Sequence, residues 1–172
     1  MVVGIGASAG GLDALLTFFE QVPQNCQQSF VVVQHLSPDH KSMMAELLAR
    51  TTSLPVAEAT QNVRIEPGKV YLIPFKKNMT ISRGRLKLAD KPTPRDLNLP
   101  IDLFLCSLAD DQQEKAVAIV LSGSGSDGTR GCRAIHNAGG LVVAQSPDQA
   151  QFDGMPVSAI NTGVVDYILP VE

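Results

Sequence analysis

Apolar residues recur along this chain with two periods, and the switches between them mark out the elements. Val2 to Gly6 is a short continuous apolar run ending in a glycine-rich turn, the pattern of a buried strand. Leu12, Leu15, Leu16 and Phe19 then fall at helical spacing, which predicts a helix over Gly11 to Glu20, closed by Pro23. Phe30-Val31-Val32-Val33 is unbroken and β-branched, as in a parallel strand covered on both faces. Ser37-Pro38-Asp39 is a helix-start signal, after which Met43, Met44, Leu47 and Leu48 make one apolar face.

The centre of the chain changes character. Val56 to Arg64 is mixed, Lys69 to Pro74 reads as a strand, and Met79 to Ser82 alternates toward Gly84, a hairpin signal. This middle stretch reads as a small antiparallel extension, followed by a proline-rich loop at Lys91-Pro92-Thr93-Pro94. Helix resumes over Pro100 to Leu108, with its proline in the first turn. A strand at Ala116 to Leu121, a helix at Gly128 to Asn137 ended by Gly139-Gly140, and a strand at Leu141 to Ala144 follow. Pro156 to Ile160 predicts a short helix and Val164 to Ile168 a last strand. The alternation predicts one α/β domain over residues 1–172: a doubly wound, Rossmann-like, mainly parallel sheet with a small antiparallel β extension.

Composition narrows the function classes. With 44% hydrophobic and 18% charged residues, the 172-residue chain can bury a core without disulfide or metal staples. Its net charge of −3 supplies no counterion-release drive, so nucleic acid is not an expected partner. No run approaches about 20 apolar residues, which excludes a helical membrane span. No Lys or Arg precedes the first apolar run, so it does not read as a signal peptide. Cys26, Cys106 and Cys132 are odd in number and match no zinc spacing. They read as buried small hydrophobes in a reducing cytoplasm. The chain opens inside a strand, as if cut from something longer.

In parallel sheets of this kind, sites gather at the carboxyl ends of the strands. Three such ends carry chemistry: Gly6-Ala7-Ser8-Ala9-Gly10, Gln34-His35, and Ser122-Gly123-Ser124-Gly125-Ser126-Asp127-Gly128. Gly4-x-Gly6-x-x-Ala9 fits a relaxed dinucleotide fingerprint, but the second strand ends in Gln34-His35 where that fingerprint needs a carboxylate. Gly6-x-Ser8-x-Gly10 also fits a nucleophile elbow, which exposes a serine in front of a helix N-terminus. A serine hydroxyl needs a base, for which His35 is placed at the neighbouring strand end, and the base needs an orienting acid. Asp127 is the candidate. Each residue has a bland role too, as a capping serine, a satisfied histidine or a turn aspartate. Their joint placement at strand ends favours the catalytic reading.

At these residues the chain resembles the catalytic domain of the bacterial chemotaxis protein-glutamate methylesterase family. The matching pieces are Ile5-Gly6-Ala7-Ser8-Ala9-Gly10-Gly11, Gln34-His35, Pro67-Gly68-Lys69-Val70-Tyr71, Ser122 through Gly128, and Gly154-Met155-Pro156. The resemblance puts the family's catalytic serine, histidine and aspartate on Ser8, His35 and Asp127. It implies hydrolysis of glutamyl methyl esters on chemoreceptor cytoplasmic helices, giving glutamate and methanol, with glutamine deamidation in some members. No metal or organic cofactor is implied. Ala9 stands where the family often has Thr, and Ser124 where it usually has Met; Ser124 and Ala9 are the candidate backbone donors of an oxyanion hole. Leu97-Asn98-Leu99-Pro100-Ile101-Asp102 resembles the subgroup fused to methyltransferase and sensor modules, which implies further domains of a larger signalling chain as partners. The rival readings are a catalytically quiet docking module of such a chain and a nucleotide-binding domain. His40 and His136 read as helix-terminal residues, Met43 and Met44 as core, and Arg130 and Arg133 as a solvated face; Met155 and Pro156 border the cleft by resemblance.

Overall fold

The structure, a computed structural model, describes residues 1–34, 43–92 and 97–171. Seven strands form one sheet in the order β3-β4-β2-β1-β7-β8-β9. They are β1 (Val2–Ala7), β2 (Ser29–Gln34), β3 (Val56–Glu58), β4 (Val70–Leu72), β7 (Ala116–Val120), β8 (Leu141–Gln145) and β9 (Tyr167–Leu169). Every neighbouring pair is parallel. Strands β5 (Lys77–Ser82) and β6 (Arg85–Asp90) make a separate antiparallel hairpin. Among the described residues the α-helices are α1 (Gly11–Gln21), α2 (Met43–Thr51), α3 (Pro100–Gln112), α4 (Thr129–Asn137) and α5 (Gly154–Ile160).

The doubly wound architecture and the hairpin at Gly84 agree with the sequence pattern. The antiparallel extension is smaller than that pattern suggests. Val70–Leu72 is buried throughout and pairs in parallel with β2 on one side and β3 on the other, so the region around it belongs to the main sheet. Its shortness hid the continuous apolar run by which a buried parallel strand is recognised. The last strand starts later than its apolar pattern predicts, at Tyr167, and is exposed at the sheet edge. The helix start at Ser37-Pro38-Asp39, His40 and part of the proline-rich loop lie outside the described residues.

Alternate residues of the strands feed two cores. On one face Ile5, Ala7 and Val32 pack with Leu15 and Phe19 of α1 and Leu48 of α2. On the other, Val31, Val33, Ala118 and Val120 pack with α3, α4, α5 and the hairpin. Here β1 carries glycine in place of a side chain. A Cβ on Gly4 would lie 2.7 Å from Leu105 Cδ2, and one on Gly6 would lie 2.5 Å from Ile101 Cγ2. The two glycines let α3 lie directly on the sheet. The hairpin then roofs α3: Met79, Ile81 and Leu86 are buried against it, and Ile81 N–H donates to Ser107 Oγ at 3.0 Å.

Candidate active site

Chain order reverses across β1. From it the chain winds outward through β2 to β4 and β3, then returns through α3 to β7 on the other side. Such a switch point leaves a crevice at the carboxyl ends of the two diverging strands, here β1 and β7. Ser8 follows the end of β1, and the loop Leu121–Gly128 follows the end of β7. The two predicted site segments therefore flank one crevice.

Backbone bonds lock them together. Ser8 N–H donates to the Ser122 carbonyl at 3.0 Å, and Gly11 N–H donates to the Ser8 carbonyl at 2.8 Å. Gly10, at φ 67°, turns the chain into α1, so the half-buried Ser8 stands in front of that helix. Ser122 is completely buried and acts as the knot. Its hydroxyl lies 2.9 Å from the Ala9 carbonyl and accepts from Phe152 N–H at 3.0 Å, while its own N–H donates to Gln145 Oε1 at 2.8 Å. Gly123 then passes so close to Ser8 that a Cβ on it would lie 2.9 Å from Ser8 Cβ and 2.4 Å from Met155 Sδ. Ser122 lies in a segment the sequence singles out but has no role of its own assigned there, and Gln145 is not singled out at all. Serine in a Gly/Ser-rich loop and glutamine at a strand end carry no chemical signature.

Asp127 is buried, and its carboxylate is anchored at both oxygens. Ile101 N–H donates to Oδ2 at 3.0 Å and Asp102 N–H to Oδ1 at 2.8 Å. These are free donors of the first turn of α3, whose N-cap, Leu99, supplies no side-chain acceptor. His35 lies outside the described residues. The residue before it, Gln34, ends β2 in register with Ala7, the residue before Ser8.

Ser124 is exposed beside Gly123, and Ala9 sits in the elbow. Among the described residues, neither of their N–H groups donates to a protein acceptor. Met155 is buried against Gly123. The glycines of the dinucleotide fingerprint are occupied differently, since Gly4 and Gly6 receive the side chains of α3. Among the described residues no three His, Cys, Asp or Glu side chains gather as a metal ligand set, and no helix is long and apolar enough to cross a membrane.

The thiols near this region are subdued. Burial pushes the Cys132 thiol up to about 12, with the Asp102 charge adding to the effect. Burial also raises Cys106, and it raises the Asp102 carboxyl against the lowering pull of Gly131 N–H.

Residues 3–172 match the family model described as CheB methylesterase. The chain is 50% identical over 129 residues to an uncharacterized 104.1 kDa protein of Rhodobacter capsulatus, covering 75% of this chain and 13% of that protein. It is 38% identical over 175 residues to protein-glutamate methylesterase/protein-glutamine glutaminase 1 of Myxococcus xanthus, covering 99% of this chain and 51% of that one. The crystal structure of the Thermotoga maritima CheB methylesterase catalytic domain superposes with a TM-score of 0.89 at 32% identity, covering 99% of this chain and 92% of the other. The chain spans about half the length of the curated methylesterases it matches.

Proposed function

Because this chain belongs to the CheB methylesterase family, we propose that it is a serine hydrolase that removes methyl esters from glutamate side chains of chemoreceptors. The observation that carries the reading is the backbone bond at the switch point that ties the Ser8 elbow to the loop holding Asp127. Ser8 Oγ attacks the ester carbonyl while His35 takes its proton. The tetrahedral oxyanion is met by the N–H groups of Ala9 and Ser124, which have no protein acceptor among the described residues. The intermediate collapses, His35 protonates the departing methoxide, and methanol leaves an acyl-enzyme. Water, deprotonated by His35, then releases glutamate. Asp127 accepts the second imidazole N–H and fixes the tautomer. No cofactor enters these steps.

The relatives' names also include protein-glutamine glutaminase, and the same acyl chemistry with ammonia as leaving group serves a glutamine side chain. The substrates are the cytoplasmic helices of methylated chemoreceptors, which places the protein in the cytoplasm. Other domains of a larger signalling chain are the expected partners, in keeping with the much longer relative in R. capsulatus.

Methanol release from a methylated receptor tests the reading. Wild type releases methanol and takes up a serine-directed phosphonate at Ser8. Ser8→Ala takes up none and loses activity by roughly 10³-fold or more, and His35→Gln and Asp127→Asn each lose on the order of 10²–10⁴-fold. A wild-type protein that binds receptor but releases no methanol would make this a docking module instead.

A further inference from the structure

The two helices that meet behind Asp127 cap each other. The N-cap of α3 is Leu99 and its first residue is Pro100, so the helix begins with no side-chain cap and no first N–H. Asp127, from the loop before α4, fills that role by accepting from Ile101 and Asp102. The N-cap of α4 is Gly128, which has no side chain to offer. Asp102, from the first turn of α3, fills that role: its Oδ1 accepts the Gly131 N–H at 2.8 Å. The arrangement is a closed ring. Asp102 holds the Asp127 carboxylate through its own N–H, and through its side chain holds the helix that begins two residues after Asp127.

We propose that Asp102 is a positioning residue for hydrolysis, setting the place of the Asp127 carboxylate through this pair of exchanged caps. The proposal rests on the reading of Asp127 as the triad acid. Asp102 is 4% exposed, and a carboxylate is a costly choice for a core position unless its side-chain bond to Gly131 N–H matters. Its carboxyl is raised first by burial, an effect that the Gly131 N–H opposes and the Asp127 charge reinforces. Among the described residues, the Asp102 charge also acts on the thiols of Cys106 of α3 and Cys132 of α4. A ring of this kind translates a small shift at α4 into a shift of Asp127, and a misplacement of about 1 Å can cost on the order of 10²-fold in rate.

The test compares Asp102→Ala and Asp102→Asn with wild type, using methanol release per phosphonate-titrated Ser8 and hydrogen exchange of the Ile101 amide. Asp102→Ala removes the acceptor for Gly131. Its kcat per titrated site falls about tenfold or more with KM within about twofold, and Ile101 exchange accelerates. Asp102→Asn keeps an oxygen for Gly131 and recovers kcat to within about threefold of wild type. A purely structural Asp102 would lower Tm and leave kcat per titrated site intact, and that result overturns the proposal. So does an Asp102→Asn variant as slow as Asp102→Ala. Should Asp102→Ala fail to fold, Asp102→Ser, whose hydroxyl is too short to reach Gly131, takes its place in every comparison. Failure of the underlying reading looks different: wild type itself releases no methanol, and Ile101 exchange alone decides whether Asp102 holds Asp127.

Discussion

At the scale of single residues, the crevice depends on atoms that are missing. Gly123 lets the loop after β7 lie against Ser8, since any Cβ there would collide with Met155 Sδ and Ser8 Cβ. Gly123→Ala therefore costs about 1–3 kcal/mol of stability through overpacking. It also lowers methanol release far more than the lost folded fraction explains, as paired denaturation and kinetic measurements would show. Cys132 gives a second prediction. A thiol raised to about 12 is almost wholly protonated at neutral pH, and it is completely buried. A thiol reagent should leave Cys132 unmodified in the native protein and reach it only after denaturation, with the half-buried Cys26 and Cys106 accessible earlier. Fast native labelling of Cys132 would contradict the packing between α3 and α4.

At the scale of elements, the exchanged caps bring a pH dependence whose sign is fixed. Burial makes Asp102 hold its proton more tightly in the folded chain than in the unfolded one. The native state therefore binds more protons between the ordinary carboxylate range and the raised value. Its contribution to stability is full below the unfolded pKa and is lost as pH rises through the folded one. Asp102→Asn removes this titration, so Tm of the variant minus Tm of wild type should increase from acid to neutral pH. A difference flat across that range would refute the burial account. Much at this scale was legible beforehand. Strand β1, helix α1 and the Gly84 hairpin follow from local periodicity and turn residues, and the placement of Ser8 and Asp127 just beyond the ends of β1 and β7 from the strand pattern. Asp102 was not legible as a partner of Asp127, because a first-turn acid in a helix is ordinary and the partner helix lies 29 residues away from it at Gly131. Ser122 and Gln145 escaped for the same reason: their importance lies in what they meet across the fold. The place of β4 inside the parallel sheet was equally invisible, since three residues carry no period.

At the scale of the whole molecule, the two faces of the sheet are dressed unequally. On the α1 side, Val117, Ile119 and Leu121 of the β7 region and Leu141 and Val143 of β8 border an apolar groove of about 530 Å³ that runs on to Leu169 and Val171. On the opposite side, α3 and α4 lie close on the sheet and the hairpin closes over α3. The hairpin turn is itself fastened to that helix, for the Asp111 carboxylate accepts from both Arg83 N–H and Gly84 N–H. Asp111→Ala should lower stability by about 1 kcal/mol per bond lost. Methanol release at temperatures where the variant is folded should stay at the wild-type level. A variant that kept the wild-type Tm would show that the turn holds without these bonds.

That roof has a consequence for how activity can be lost. The helix whose first turn grips Asp127 is squeezed between the sheet and a hairpin inserted between β4 and α3. Whatever pries residues 77–90 loose releases the outer wall of α3, and with it the grip of its first turn on that carboxylate. Under the proposed function, loosening the hairpin would thus slow hydrolysis with Ser8 and Asp127 both still in the chain.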